Sequence, residues 1–146
     1  MEATAPFDLT VLEAELRRDE GFRGRPYPCP AGFQTIGFGR NLDANPLSED
    51  EGAYLLRNDI SRAAMGIAMR LPGLLEQVGD VRARVLLNMA VNLGVGGLLK
   101  FRRMLVALEQ GDYGRAADEM LDSVWARQVG RRADRLADAM RTGEVR

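Results

Sequence analysis

The sequence predicts a mainly α-helical α+β fold, in which a small lobe with one hairpin is joined by a long helix to a larger all-helical lobe. Prolines and glycines exclude a helix from residues 25–40, whereas apolar residues recur at helical spacing on both sides of that segment. A length of 146 residues suits one domain. We therefore expect a single domain, with the small lobe at about residues 10–58 and the helical lobe at about 70–146.

The first helix is predicted to begin near Thr10, because Thr10 and Glu13 have the spacing of a capping box. It is predicted to end at Gly21. Three leucines at helical spacing give this helix one apolar stripe: Leu9, Leu12 and Leu16.

Two short extended runs follow, at residues 25–29 and 33–38, and they flank a Pro-Ala-Gly turn at residues 30–32. This arrangement is typical of a β-hairpin. We expect it to be the only β structure.

A second capping box, Ser48 with Glu51, opens a long helical pattern that continues to about Met69. Such a helix would span roughly 30 Å, enough to bridge two lobes. After Pro72 the pattern is helical to the end of the chain, with breaks near residues 79–80 and 111–112 and at Gly130. The run Gly-Val-Gly-Gly at 94–97 is interpreted as a loop between helices.

Composition restricts the classes of function. Apolar residues make up 46% and charged residues 28%, and the net charge is −1, so nothing global indicates a nucleic-acid partner. Cys29 is the single cysteine, so no intramolecular disulfide can form, which suits a reducing cytoplasm. The first ten residues lack the pattern of a signal peptide, and no apolar run is long enough to insert stably in a membrane.

Glu20 stands out because it continues the spacing of Leu12 and Leu16 and therefore falls on the apolar stripe. Partial desolvation there would raise the pKa of its carboxyl group, as a general acid requires near neutral pH. Spacing alone leaves open the alternative that Glu20 is simply the exposed last residue of a helix.

Several motifs, in order along most of the chain, resemble the phage lysozymes of the T-even type. The first group surrounds the hairpin: Asp19-Glu20-Gly21, Tyr27, Gly32 and Thr35-Ile36-Gly37-Phe38-Gly39. The second group lies on the predicted helices: Ser48 to Glu51, Asn58-Asp59, Asn88-Met89, Asn92-Leu93-Gly94, then Trp125, Gln128 and Arg132, and finally Arg141-Thr142-Gly143. Each motif alone is weak, but together they indicate a lysozyme-like fold.

The resemblance implies hydrolysis of the β-1,4 bond between N-acetylmuramic acid and N-acetylglucosamine in peptidoglycan. Glu20 matches the family's general acid, and Thr35 matches the threonine that holds the attacking water, an arrangement that inverts the anomeric centre. Arg132 matches an arginine that pairs with the catalytic glutamate, and Asn92 an asparagine placed to bind an N-acetyl group. Tyr27 and Gln128 are expected to support the substrate, and Trp125 to pack in the core or cleft wall.

The resemblance also implies partners and surroundings. We expect no cofactor and no metal, a monomer, and peptidoglycan glycan strands as the substrate. The enzyme would be made in the host cytoplasm and reach the wall through a holin-like pore for host-cell lysis.

The sequence departs from the family pattern at two positions. Cys29 occupies the place of the family's second acid. Its thiolate could act electrostatically or position water, it could be an inert filler beside Glu20 and Thr35, or the site could be inactive. Arg40 stands where many relatives have histidine, and we expect it to pair with Asp59.

Two rival functions remain open on the sequence. Glu20 could act alone as acid and base in a lytic transglycosylase. Alternatively, the chain could be a non-catalytic wall-binding or virion structural module that keeps the fold without the chemistry.

Overall fold

The computed structural model describes residues 6–145. It is mainly helical with one small antiparallel sheet, so the predicted α+β, mainly α, fold class is confirmed. The elements in chain order are α1 (Leu9–Glu20), β1 (Arg23–Pro28), β2 (Gln34–Gly37), β3 (Arg40–Asn41), α2 (Glu49–Arg70), α3 (Leu74–Leu93), α4 (Val95–Leu99), α5 (Arg102–Glu109), α6 (Tyr113–Leu121), α7 (Val124–Val129) and α8 (Arg131–Thr142).

Helix α1 begins one residue earlier than predicted, and its cap is Asp8 rather than Thr10. The Asp8 carboxylate accepts a hydrogen bond from the backbone N–H of Val11 at 3.1 Å. Asp8 has an extended backbone, as an N-cap requires, whereas Thr10 already lies inside the helix. The helix ends at Gly21 as predicted, where a φ of 69° favours glycine.

The sheet has three strands in the order β1-β2-β3, all antiparallel. The predicted hairpin is present, but the expectation that it is the only β structure is wrong because β3 pairs with β2. The third strand is only two residues long, too short to give an alternating pattern in the sequence. Beyond it, the Asp43 carboxylate accepts from the backbone N–H of Gln34 at 2.9 Å and ties the following turn to β2.

Helix α2 starts with the predicted capping box. The Ser48 hydroxyl accepts from the backbone N–H of Glu51 at 3.2 Å, and the Glu51 carboxylate accepts from the backbone N–H of Ser48 at 2.9 Å. The chain forms two compact units, residues 1–53 and 54–146, and the division falls within α2. The second unit contains the apolar core.

That core is built from helices of the second unit. Its largest fully buried side chains are Ile67, Leu86, Met89, Leu98, Met104, Leu108, Met120 and Met140. Close packing explains one glycine of α2, because a Cβ at Gly66 would lie 2.8 Å from Cγ2 of Val95. Gly66 is therefore needed where α2 approaches the start of α4.

Most of the predicted helix breaks are present. Gly79 has a φ of 84° and divides α3, and Gly111 and Gly130 separate α5 from α6 and α7 from α8. The interpretation of residues 94–97 as a loop is wrong, since only Gly94 leaves the helical conformation and Val95–Leu99 form α4. Among residues 6–145, no helix is both long enough and apolar enough to span a membrane.

Candidate functional site

The hairpin places three of the predicted site residues on one face of the sheet. Tyr27 on β1 lies directly opposite Thr35 on β2. Cys29 follows Tyr27 by two positions, and its backbone N–H continues the pairing by donating to the carbonyl of Phe33 at 2.9 Å. Because side chains alternate along a strand and directly opposed residues share a face, Tyr27, Cys29 and Thr35 project from the same side.

Thr35 is the buried polar residue of this face, with 4% of its surface exposed. Its hydroxyl donates a hydrogen bond to the carbonyl of Phe33 at 3.0 Å. The hydroxyl oxygen keeps lone pairs with which it can accept a hydrogen bond from a further donor such as water.

Cys29 is half-buried and free of any disulfide. Hydrogen bonding from the backbone at Phe33 lowers the pKa of its thiol, with smaller contributions from Ala31, the Thr35 side chain and Gly32, against an opposing effect of desolvation. The turn therefore favours the thiolate more than water does. This is a microenvironment in which a cysteine keeps chemical reactivity.

Glu20 lies at the end of α1 and contacts the loop between β2 and β3. A Cβ built on Gly39 would lie 2.8 Å from the carboxyl carbon of Glu20, so a side chain at position 39 would displace this carboxyl group. The expected desolvation of Glu20 by the apolar stripe is wrong. No side chain of α1 is buried, and Glu20 itself is exposed, so the stripe does not surround its carboxyl group.

Arg40 anchors β3 to the start of α2. Its guanidinium donates to both oxygens of the Glu51 carboxylate, at 3.2 and 2.6 Å, and also to the carbonyl of Asn45 at 3.3 Å. Arg40 thus has a bidentate partner, Glu51, that the sequence did not indicate. The predicted Arg40–Asp59 pair joins residues of different units and stays a prediction.

The guanidinium also sets the ionisation of its partner. The hydrogen bond from Arg40 lowers the pKa of Glu51 to about 2, helped by the backbone and hydroxyl of Ser48. The side chains of Arg40 and Glu51 are 30% and 40% exposed, so solvent screens part of this interaction.

In the second unit, two of the predicted residues, Arg132 and Asn92, form polar pairs. The Arg132 guanidinium donates to the side-chain oxygen of Asn88 at 2.7 and 3.0 Å and to the Asn88 backbone carbonyl at 3.3 Å. The indole N–H of Trp125 donates to the side-chain oxygen of Asn92 at 3.0 Å, which leaves the amide NH₂ of Asn92 as a donor. The predicted Arg132–Glu20 pair joins residues of different units and stays a prediction.

Trp125 packs in the core as expected, with 4% of its surface exposed and an edge-on contact to Phe101. The two aromatic rings also line a pocket of about 760 Å³, together with the exposed side chain of Gln128. Gln128 thus lies beside an open concave surface.

Sequence reasoning missed three residues that fix the site. Gly39 was part of a motif, but its contact with Glu20 leaves no sequence signal. Glu51 was recognised as a cap and not as the partner of Arg40, and Asn88 was not connected with Arg132. Within residues 6–145, no three His, Cys, Asp or Glu side chains come together as metal ligands would.

Comparison with known proteins gives three kinds of match. The sequence profile of the family described as phage lysozyme matches residues 17–141. The chain is 26% and 25% identical to the probable T4-type lysozymes 1 and 2 of Dictyostelium discoideum, each over 94% of this chain and over 97% and 98% of the relative. It is 30% identical, over 89% of its length, to the pre-baseplate central spike protein Gp5 of Enterobacteria phage T4, of which it spans only 27%.

Proposed function

Because this chain belongs to the phage lysozyme family, we propose that it is a glycosidase that hydrolyses the β-1,4 bond between N-acetylmuramic acid and N-acetylglucosamine in peptidoglycan. The observation that carries the proposal is the contact of the Glu20 carboxyl with Gly39, directly beyond the strand that bears Thr35. A candidate proton donor and a hydroxyl that can accept a hydrogen bond from water then lie at the two ends of the segment that joins Thr35 to Gly39.

The proposed reaction begins with protonated Glu20. Its proton passes to the glycosidic oxygen, the bond from that oxygen to C1 breaks, and positive charge develops at C1. A water molecule held by the Thr35 oxygen forms the new C1–O bond from the opposite side, which inverts C1. Its surplus proton leaves to solvent, Glu20 regains a proton from solvent, and one water is consumed per bond cut.

Cys29 has a supporting part in this proposal. Its thiol lies on the face of the sheet that carries Thr35, and its pKa is lowered by the turn, chiefly by hydrogen bonding at Phe33. The thiolate fraction would favour positive charge at C1 electrostatically. The neutral thiol would still fill space beside the water, so we expect removal of Cys29 to reduce hydrolysis without abolishing it.

In the second unit, we propose that Asn92 and Gln128 bind the glycan strand. The NH₂ group of Asn92 is oriented by Trp125 and could donate to an N-acetyl carbonyl. Arg132, held by Asn88, is proposed to interact with Glu20 in the substrate complex. Tyr27, whose ring is covered by the Arg23 guanidinium at 4.5 Å, is proposed to position the hairpin against the sugar.

The decisive experiment measures cleavage of purified, uncross-linked glycan strands by the parent, Glu20→Gln and Cys29→Ala. Asp19→Asn is the matched control, because it removes a neighbouring exposed carboxylate from the same helix. We expect no turnover with Glu20→Gln, reduced turnover with Cys29→Ala and normal turnover with the control. A fully active Glu20→Gln would refute Glu20 as the acid.

Mass spectrometry of the products tests the reaction type. Hydrolysis adds the mass of one water for each bond cut, whereas a lytic transglycosylase leaves an anhydro-muramic end and adds none. Products without added water would contradict hydrolysis and would identify the activity as that of a lytic transglycosylase.

A second candidate is favoured by one observation, the match to a central spike protein of a virion. In that case the chain would serve as a lysozyme-like module of a larger assembly. A parent that binds glycan strands but cuts none, with binding unchanged in Glu20→Gln, would establish a structural module.

We further propose action on the wall during host-cell lysis, as a monomer made in the cytoplasm and released through a holin-like pore. Membership of the phage lysozyme family supports this role. Lysis of a culture expressing the chain only when a pore-forming protein is co-expressed would support it, and lysis without the pore would contradict it.

A further inference from the structure

A cluster of arginines lies on the second unit, outside every residue assigned to the reaction. Arg102 and Arg103 begin α5, and Arg115 lies in the first turn of α6, which packs against α5. All three are exposed. Together with Val106, Ala107 and Gln110 they line a pocket of about 210 Å³.

The charge of this pocket is uncompensated. Across residues 6–145, none of the three guanidinium groups forms an ion pair or a side-chain hydrogen bond, while five arginines elsewhere do form ion pairs. No carboxylate lines the pocket. The adjacent acid, Asp112, accepts from the backbone N–H of Arg115 at 3.0 Å and caps α6.

The residue types indicate the ligand. Arginine presents a planar fork of N–H donors that matches two oxygens of a phosphate, and three such groups around a small concavity favour a compact polyoxyanion. The side-chain amide of Gln110 adds a neutral donor at the rim, and Val106 with Ala107 provides an apolar floor for an adjoining carbon. At about 210 Å³, the pocket is too small for a chain of sugar rings but large enough for a phosphate and its nearest substituent.

Arg102 and Arg103 also line the larger pocket of about 760 Å³, where Lys100 adds a further cation. The two arginines therefore form the wall between two neighbouring concavities, and a chain with repeated phosphates could cross from one to the other. Glu119 and Asp122 lie on the larger pocket as well, so the phosphate is expected in the smaller one.

We propose that Arg102, Arg103 and Arg115 bind a phosphate of a phosphodiester-linked polymer such as a poly(glycerol phosphate). The site would hold the protein on a phosphate-bearing surface near its glycan substrate, and this context rests on the proposed function. A lipid surface is disfavoured because Val106 is the only large apolar side chain that the pocket exposes, and peripheral membrane binding requires a broader apolar face.

The test measures binding of fluorescent poly(glycerol phosphate) by the whole chain. The variant carries Arg102→Gln, Arg103→Gln and Arg115→Gln. The control carries Arg57→Gln, Arg62→Gln and Arg131→Gln, which removes equal charge from exposed positions outside these pockets. We expect affinity to fall about tenfold or more in the variant and by less than about twofold in the control.

Two further binding measurements identify the chemical class of the ligand. Inorganic phosphate should compete with the polymer, and polyglutamate of equal charge should bind more weakly. An equal loss in both triple variants, equal binding of polyglutamate, or preferential binding to phosphatidylglycerol vesicles would each overturn the proposal. Hydrolysis of polymer-free glycan strands by the single variant Arg115→Gln should remain normal, because Arg115 lines the smaller pocket and not the pocket beside Gln128. This result separates the phosphate site from the catalytic proposal. Equal thermal midpoints of variant and parent would exclude unfolding as the cause of weaker binding.

Discussion

The α-carbon of Gly39 lies against the carboxyl group of Glu20, so closely that a side chain at position 39 would occupy the space of the carboxyl. Gly39 also has a φ of 75°, a conformation that other residues rarely adopt. The end of α1 and the loop after β2 are therefore fitted to each other at a position without a side chain.

Replacing Gly39 by alanine should displace Glu20 and lower hydrolysis about a hundredfold, since misplacing a reacting group by about 1 Å has an effect of that size. The matched control is Gly32→Ala. Gly32 has a comparable φ of 88°, but no atom lies within 4 Å of its added Cβ. Steady-state cleavage of glycan strands and thermal unfolding should be measured for both variants. Equal activity losses would assign the effect to backbone strain and not to Glu20.

The Cys29 thiol should react with iodoacetamide at lower pH than an unstructured cysteine peptide does. Hydrogen bonding at Phe33, and to a smaller extent from Thr35, lowers the pKa of the thiol and raises the thiolate fraction at a given pH. Alkylation rates measured from pH 6 to pH 10 give the midpoint. Thr35→Val should move it slightly upward, because the larger contribution at Phe33 remains. A midpoint equal to that of the peptide would contradict the structure of the turn.

Glu51→Gln should destabilise the protein at pH 7 and change its response to acid. The pKa of Glu51 is lowered to about 2 in the folded state, from 4.5. The contribution of the ionised Glu51 to the free energy of unfolding is therefore fully present above pH 4.5 and is lost as the pH falls toward 2. Urea midpoints of parent and variant should differ at pH 7 and converge near pH 2, and the difference should shrink in high salt. Glu49→Gln, in the same helical turn without such a partner, should show neither effect.

Asn92 and Trp125 should be energetically coupled. Asn92→Ala leaves the buried indole N–H without its acceptor, at a cost of about 1–3 kcal/mol, whereas Trp125→Phe removes the donor together with some packing. A double-mutant cycle on the free energy of unfolding should give a coupling energy of about 1 kcal/mol. A coupling indistinguishable from zero would mean that the hydrogen bond does not form in solution. If Asn92 also binds an N-acetyl group, Asn92→Ala raises KM in addition.

The sequence allowed the fold class and most element limits to be predicted because those features depend on local signals. The capping box at Ser48 and the glycine at the end of α1 are determined within a few residues. The errors have local causes too. Asp8 competes with Thr10 as a cap. Glycines favoured a loop at residues 94–97, but at Gly97 a Cβ would lie 2.8 Å from Cβ of Leu93, so this glycine suits a close approach within the helical segment.

The candidate site was predicted as a set of residues but not as a set of contacts. Thr35, Cys29 and Tyr27 were predicted from the resemblance to the phage lysozymes, and their common face follows from strand alternation once the hairpin is recognised. The Glu51 partner of Arg40 could not be chosen from sequence, because α2 begins with several acids and the path of residues 41–48 sets which of them Arg40 reaches. Hydrophobic periodicity identified the apolar stripe of α1 on which Glu20 lies. It did not indicate whether other residues pack against that stripe, and no side chain of α1 is buried.

The Glu51 carboxylate is shared by two elements, since it accepts from the backbone of Ser48 and from the Arg40 guanidinium. Fraying of the first turn of α2 must then release the edge strand β3, and detachment of β3 must expose that turn. Amide protons at both places should exchange with solvent through one common opening event. The first turn of α2 and the strand β3 are each short and marginally stable alone. Because they share the Glu51 carboxylate, they should open and close together.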